Sequence, residues 1–386
     1  MINDHRLGDL FMELVRIDSV SRSEGAVADH LQRRLSHLGA RVVRDDSGAR
    51  TGSETGNLVA FFDGGSDVEP MLLNAHMDTV EPGKNIRPKL RDGVFTSDGT
   101  TILGADDKSA LAIILEVLTV LRENNIGHGP LEVVFTVCEE IGLVGAKHLD
   151  YSLLSSRYGY ALDTTGTDHI VTRAPSANKI EFVVYGKDAH AGVAPENGVN
   201  AIQLAARALA KIEIGRIDKE TTCNIGLIEG GVATNIVPSR VTVRGEARSH
   251  DEEKLEAVTR AMERGFQDAV NEAREEFRGR FELPPAEVRV EKDFGLIDIP
   301  DTHPVVRLAM DAADRLGRDL ALHQSGGGAD ANIFFANGIA CGILGTGMRD
   351  MHTVRESVAL SDMVKSAELL LEIVKLHAGK GTGPTG

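Results

Sequence analysis

Apolar positions along the chain follow two alternating rhythms. The opening stretch MINDHRLGDLFMELVRI repeats them at helical spacing, with charges breaking every apolar run, and predicts an amphipathic helix. A second helix over residues 25–38 carries its stripe on Val27, Leu31, Leu35 and Leu38, and short strand-like runs follow at 41–44 and 57–62. Residues 71–75 are continuously apolar, residues 107–122 return to helical spacing at Leu111, Ile114, Leu115, Leu118 and Leu121, and 131–138 and 158–162 read as further buried strands. Apolar strands separated by helices predict a mixed, largely parallel sheet covered on both faces, an α/β/α layering.

Near residue 174 the rhythm changes. Period-2 alternation at 179–185, 222–228 and 240–247 means burial on one side only, and these strands surround a helix at 199–212. Residues 251–277 form a long charged helix with an inward stripe of Leu255, Val258, Met262, Phe266, Ala269, Ala273 and Phe277, and 287–292 adds a strand. The segment 177–294 therefore reads as an α+β insertion in the order β-α-β-β-α-β. Beyond it the buried pattern resumes: a helix at 304–316, a glycine-rich turn at 325–328, a helix near 330–337, a strand at 340–344 and a helix after residue 361. The first domain is accordingly discontinuous, 1–176 with 295–386. The closing HAGKGTGPTG has no apolar content to dock and is expected to fray.

Composition narrows the function. The 386 residues are 42% hydrophobic and 26% charged, with 58 acidic against 42 basic side chains and a net charge of −16. Such a field repels nucleic-acid phosphates and anionic lipid, so neither a nucleic acid nor a membrane is an expected partner. Apolar runs stay short of the roughly 18–20 residues that span a bilayer. The charged amphipathic start does not suit a secretory signal, and three widely spaced cysteines without a CxxC pair suit buried thiols in a reducing cytoplasm.

Chemistry gathers where strands end. MLLNAHMDTV runs an apolar strand into His76 and Asp78, whose period-2 spacing puts both on one face; a metal ligand with a partner for its second ring nitrogen is one reading, an ordinary polar strand end the other. LEVVFTVCEEIG ends in Glu139 and Glu140, and YGYALDTTG in Asp163. Several negative charges at one sheet edge cost free energy unless a cation neutralises them, which favours a metal site. TILGADDKSA adds Asp106 and Asp107 at a helix start, where helix capping is the plainer explanation, and GTGMRDMHTVRE adds His352 with Glu356 four residues on. Together these side chains are numerous enough to ligate two divalent ions around a shared aspartate.

In this order, His76-x-Asp78, Gly104-x-Asp106-x-Lys108, Glu139-Glu140, Asp163 and His352-x-x-x-Glu356 resemble the M20 family of dinuclear-metal peptidases and amidohydrolases. LGADDKSA and CEEIGLVGAKHLD look most like its peptidase T (aminotripeptidase) and peptidase T-like branch, over essentially the whole chain. The resemblance implies Asp106 as the bridging ligand, followed by a cis peptide bond to Asp107. It implies His76 and Asp163 on one metal and Glu140 and His352 on the other, with Asp78 orienting His76 and Glu139 as general acid/base. KDAHAGVAPENGVNAI resembles the family's oxyanion-stabilising segment, which points to His190. GGVATNIVPSR resembles an Asn-x-x-Pro element, making Asn235 and, further on, Arg248 candidates for holding substrate. Ser325–Gly328 resembles a substrate-side glycine loop, hence Gly327; helix capping and a surface ion pair are the plainer readings of Gly327 and Arg248. Where peptidase T proper has His-Gly-Lys-His-Glu, this chain has His352-Thr-Val-Arg-Glu356.

The implied protein is a cytoplasmic metallopeptidase of M20 type. It carries two divalent ions, Zn2+ first, with Co2+ or Mn2+ tolerated by the same oxygen-rich shell. It takes short peptides, releases the N-terminal residue of tripeptides, and pairs as a homodimer through the inserted lid/dimerisation domain. A deacylase of N-acyl amino acids and a catalytically silent peptide-binding relative are the alternatives. A Gly-x-Ser-x-Gly elbow, a His-Glu-x-x-His helix and a Walker A loop are missing from the sequence, and no Gly-x-Gly-x-x-Gly follows the first strand.

Overall fold

The computed structural model describes residues 1–379, arranged in two compact units. The first comprises Met1–Arg173 together with the chain from Ile297 onward; the second is Ala174–Leu296.

The first unit is built on a nine-stranded mixed sheet. Its order is Arg41–Arg44, Leu58–Phe62, Leu131–Thr136, Met71–His76, Tyr158–Thr164, Ala340–Gly345, His169–Ala174, Ile297–Asp298, with Ala321–Gln324 beside His169–Ala174. The four central strands run parallel, Arg41–Arg44 and Leu58–Phe62 pair antiparallel to their neighbours, and His169–Ala174 runs antiparallel to Ala340–Gly345 but parallel to Ala321–Gln324. Every residue of Met71–His76 and Leu131–Thr136 is buried, as strands covered on both faces must be. In register, Met71 lies opposite both Leu131 and Tyr158, and Ala340 opposite Tyr158, so the carboxyl ends of these strands line one edge.

Helix Ala105–Glu123 is buried along nearly its whole length, packed against Asp4–Val15 and Leu360–Gly379. Its fully buried Glu116 is matched by Arg6 at 2.6 Å and by the backbone N–H of Asn3 at 2.9 Å, which pins the N-terminal helix across it. Among the described residues no helix is long and apolar enough to cross a membrane, and all three cysteines are free and buried.

Three features differ from the sequence reading. Residues 377–379 do not fray: the last helix reaches Gly379, and fully buried His377 donates from Nε2 to the Glu69 carbonyl at 2.8 Å. The imidazole takes the next inward position after Leu370, Ile373 and Val374, so the stripe continues through a polar residue. Residues 380–386 lie outside the described chain. Strands His169–Ala174 and Ala321–Gln324 add to the sheet, and a small four-stranded sheet joins Lys89–Arg91, Val94–Thr96, Met348–Arg349 and Ser357–Ala359. Ala321–Gln324 and Lys89–Arg91 are exposed throughout, so they carry no hydrophobic alternation to find.

The second unit is an antiparallel sheet in the order Gly215–Arg216, Thr221–Gly230, Arg240–Ser249, Ser176–Tyr185, Glu287–Phe294. Helices Ala201–Leu209 and Glu252–Glu276 bury their stripes against it. Phe182 and Phe266 stack at the centre of this core, ring centroids 3.8 Å apart.

Candidate metal centre

Each parallel strand delivers a polar residue to the shared edge, and helix Ala105–Glu123 brings its acidic start to the same place. Asp106 is the common member of two ligand groups, His76–Asp106–Glu140 and Asp106–Asp107–Asp163, whose donor atoms within each group all lie within 4.8 Å of one another. Both of its oxygens are engaged by imidazoles: Oδ1 by His76 Nε2 at 3.0 Å and Oδ2 by His352 Nε2 at 3.2 Å. His352 also reaches Glu140 at 3.1 Å. The Asp106–Asp107 peptide bond is cis.

His76 places its second nitrogen, Nδ1, 2.9 Å from the backbone carbonyl of Asp78 and 3.5 Å from the Asp78 carboxylate. That carboxylate, fully buried, is occupied mainly elsewhere. It accepts the N–H of Glu139 at 2.9 Å, the N–H of Glu140 at 3.3 Å and the hydroxyl of Ser21 at 2.6 Å. Asp78 thus frames the turn that carries both glutamates as well as lying against His76.

Three further side chains belong to this edge: Glu356 and Lys108 stand in the sequence motifs without an assigned role, and Asp330 escapes a sequence reading. Glu356 accepts the N–H groups of Leu103, Gly104 and Asp106 at 2.7, 2.7 and 2.9 Å, so it clamps the loop that leads into Asp106. Asp330, at the start of helix Asp330–Ala336, is buried, accepts from the Thr136 hydroxyl and has a second oxygen with no partner. Lys108 is fully buried and donates to the Ile17 carbonyl at 2.6 Å.

The electrostatics are those of carboxylates crowded out of water. Burial pushes Glu139 and Asp163 well above the ordinary carboxylate range, with neighbouring acids adding to it. Burial also raises Glu140 against the pull of His352, and raises Asp107, whose Oδ1 has no hydrogen-bond partner. Burial opposes ionisation of Asp106 too, yet the hydrogen bonds from His352 and His76 outweigh it and hold that carboxyl below its usual range. The same contacts to Asp106 and Glu140 push His352 up to about 10. For His76, burial favours the neutral ring, but its bonds to Asp106 and Asp78 prevail and raise it. An oxygen-rich set with two imidazoles, strained by unneutralised charge and holding an orphaned carboxylate oxygen, fits divalent cations.

The remaining expected residues fall in different places. Gly327 sits in the loop before helix Asp330–Ala336, its N–H and carbonyl both bonded to the Ser325 hydroxyl at 3.0 Å. In the second unit, His190 and Asn235 are brought together: Ala191 N–H donates to the Asn235 carbonyl at 2.9 Å, and His190 bridges to Ile236. Both are exposed, beyond the Tyr185–Arg240 end of the sheet. Arg248 pairs with Ala177, eight residues along the strand from Arg240, so this unit keeps it apart from them. It holds Glu246 at 3.0 Å and lies over the Phe294 ring.

Residues 72–376 match the model of peptidase family M20/M25/M40. The chain belongs to that family. It is 42% identical to the protein YqjE of Bacillus subtilis (strain 168) over 376 residues, which cover 97% of this chain and 99% of that one. Among solved structures it resembles the aminopeptidase PepT from Bacillus cereus, with 44% identity, a TM-score of 0.86, and coverage of 98% of this chain and 99% of that one. It resembles equally a tripeptidase from Staphylococcus aureus, with 39% identity, a TM-score of 0.91, and coverage of 98% and 100%. The M20 chain is a peptidase, and its mixed, largely parallel α/β fold is that of these relatives.

Proposed function

We propose that this protein is a two-metal aminopeptidase that releases the N-terminal residue of tripeptides. The observation that carries the reading is Asp106, shared by two groups of buried donors and faced by one imidazole on each oxygen. The similarity to an aminopeptidase and a tripeptidase supports the substrate class. His76, Asp106, Glu140, Asp163 and His352 are the residues that would hold the ions, with zinc, cobalt or manganese all compatible. A bound pair of such ions supplies Lewis acidity, making water a nucleophile near neutral pH and polarising the scissile carbonyl.

The chain's own residues do the rest. Glu139, following Asp78-held backbone, takes the proton from the attacking water and returns it to the leaving amine, and a carboxyl raised by burial suits both halves of that task. His190 accepts the Gly192 N–H on Nδ1 at 3.2 Å, which leaves Nε2–H as an outward donor for a developing oxyanion. Asn235, Arg248 and Gly327 are assigned to substrate. The inserted unit is assigned to a homodimer: Asn224–Gly230 has a sheet partner on one side only, and Leu227 and Ile228 on it are about half exposed.

The test is incubation of zinc-, cobalt- or manganese-loaded protein with di-, tri- and tetrapeptides and N-acyl amino acids, with products resolved by mass spectrometry. Release of the N-terminal residue from tripeptides is the expected result. Deacylation without peptide cleavage moves the protein to the amidohydrolase side of the family, and silence with every metal rejects the enzyme reading. In the same assay Glu139→Gln lowers kcat by about 10²–10⁴-fold with metal content intact; loss of metal instead makes Glu139 a ligand.

A further inference from the structure

The turn that follows strand Leu131–Thr136 is held in an unusual way. Four consecutive backbone amides, of residues 137 to 140, each donate to a side chain. Val137 N–H goes to Asn57 Oδ1 at 3.0 Å, Cys138 N–H to Glu24 Oε1 at 3.0 Å, and those of Glu139 and Glu140 to the two oxygens of Asp78. Cys138, between them, sits at φ +53°, in the left-handed region that a side chain other than glycine's enters only when its surroundings impose it.

Glu24 is the side chain that meets Cys138 there. It is fully buried, about a hundred residues away in sequence, and all its contacts are with donors: Oε1 with Arg22 N–H at 3.0 Å, Cys138 N–H and the Cys138 thiol at 3.4 Å, Oε2 with the Ser53 hydroxyl. The segment that carries it is laced to the strand end beside it. Ser19 hydroxyl donates to the Met77 carbonyl at 2.8 Å, Ser21 N–H to the Thr79 carbonyl at 3.2 Å, and Ser21 hydroxyl to Asp78 at 2.6 Å. Residues 19–24 are thus a strap tying the strand end that bears His76 and Asp78 to the turn that bears Glu139.

We propose that Glu24 is a positioning residue for the hydrolysis: it fixes the left-handed turn at Cys138 and thereby aims the Glu139 carboxylate. The proposal rests on Glu139 being the acid/base of the reaction. Its content is geometric, since Glu24 acts as an acceptor placed at one point. Glutamine keeps that acceptor: its Oε1 still takes both amides, and its Nε2 donates to the Ser53 hydroxyl in place of receiving from it. Aspartate keeps the charge but draws the acceptor back by about 1.5 Å, one carbon–carbon bond.

Four variants, Glu24→Ala, Glu24→Gln, Glu24→Asp and Glu139→Gln, are compared for kcat and KM on the tripeptide, bound metal per chain, and hydrogen exchange at residues 137–140. Glu24→Ala is expected to lower kcat by about 10–100-fold, as removal of a buried partner of an active-site group commonly does. KM and metal content stay near those of the parent and exchange at 137–140 rises. Glu24→Gln retains most of kcat, and Glu24→Asp falls with the alanine variant. An active aspartate variant beside an inactive glutamine one makes charge the relevant property and overturns the proposal. So does an alanine variant with undiminished kcat, or one that loses metal along with activity. If the alanine variant does not fold, the order of glutamine against aspartate decides alone. A Glu139→Gln protein of full activity rejects the acid/base assignment itself, whatever the Glu24 series does; an inactive Glu139→Gln beside a fully active Glu24→Ala rejects only the role of Glu24.

Discussion

The carboxylate of Glu356 shows how much one buried side chain can organise. It collects three backbone N–H groups from the loop that ends in Asp106, one of them from Gly104 at φ +76°. Burial pushes its carboxyl up to about 7 against the pull of those amides. Glutamine in its place offers one oxygen where two are needed and turns an NH2 group toward at least one donor. Glu356→Gln should therefore destabilise the fold by about 1–3 kcal/mol, the cost of a buried amide left unpaired. Because the loop carries Asp106, the proposed shared ligand, metal affinity should fall by about 10–100-fold. Denaturant unfolding and a competitive metal titration measure the two effects, and unchanged metal affinity would separate Glu356 from the centre. His352 and Glu356 stand together in the sequence, but their spacing says nothing of the division of labour between them. One faces the ligands and the other faces the backbone, because the chain between them turns at Thr353.

At the scale of elements, what the sequence makes legible is what burial imposes on periodicity. Met71–His76 and Leu131–Thr136 are buried on both faces and read as unbroken apolar runs, and the acids and histidines follow directly where those runs stop. Glu24, Asn57 and Asp330 leave no such trace: each reaches the same sheet edge from a segment distant in sequence, and only the folded chain brings them there. Strand His169–Ala174 is likewise hard to read, since polar His169 and Thr172 occupy buried positions. The second unit is the opposite case, one whose core follows from its pattern alone. Its helix Glu252–Glu276 contributes Phe266 to a stack with Phe182, both fully buried. Phe266→Ala should cost about 3–5 kcal/mol through the cavity it leaves. Hydrogen exchange should then quicken in Ser176–Tyr185 and Arg240–Ser249 while Met71–His76 keeps its protection. Equal loss of protection in all three strands would mean that the chain opens as one cooperative body.

On the scale of the whole molecule, a chain of net charge −16 concentrates buried acids at one sheet edge, and that arrangement is a standing cost until cations share it. Anything bound to the folded state alone stabilises it by mass action, about 2.7 kcal/mol at a hundred times its Kd. Adding zinc, cobalt or manganese to chelator-treated protein should therefore raise Tm by several degrees. Asp163 makes the argument specific. Burial and the nearby charge of Asp106 push its carboxyl well up, so in the metal-free protein its charge works against folding. Asp163→Asn removes that charge while keeping the shape. The variant should match or exceed the parent in Tm under chelator and gain less on metal addition, the two curves crossing as metal is titrated. A full metal-dependent rise in the asparagine variant would remove Asp163 from the ligands. A parent protein whose Tm ignores metal altogether would show that its hydrogen bonds and imidazoles alone neutralise the edge, and the two-metal reading would fall with it.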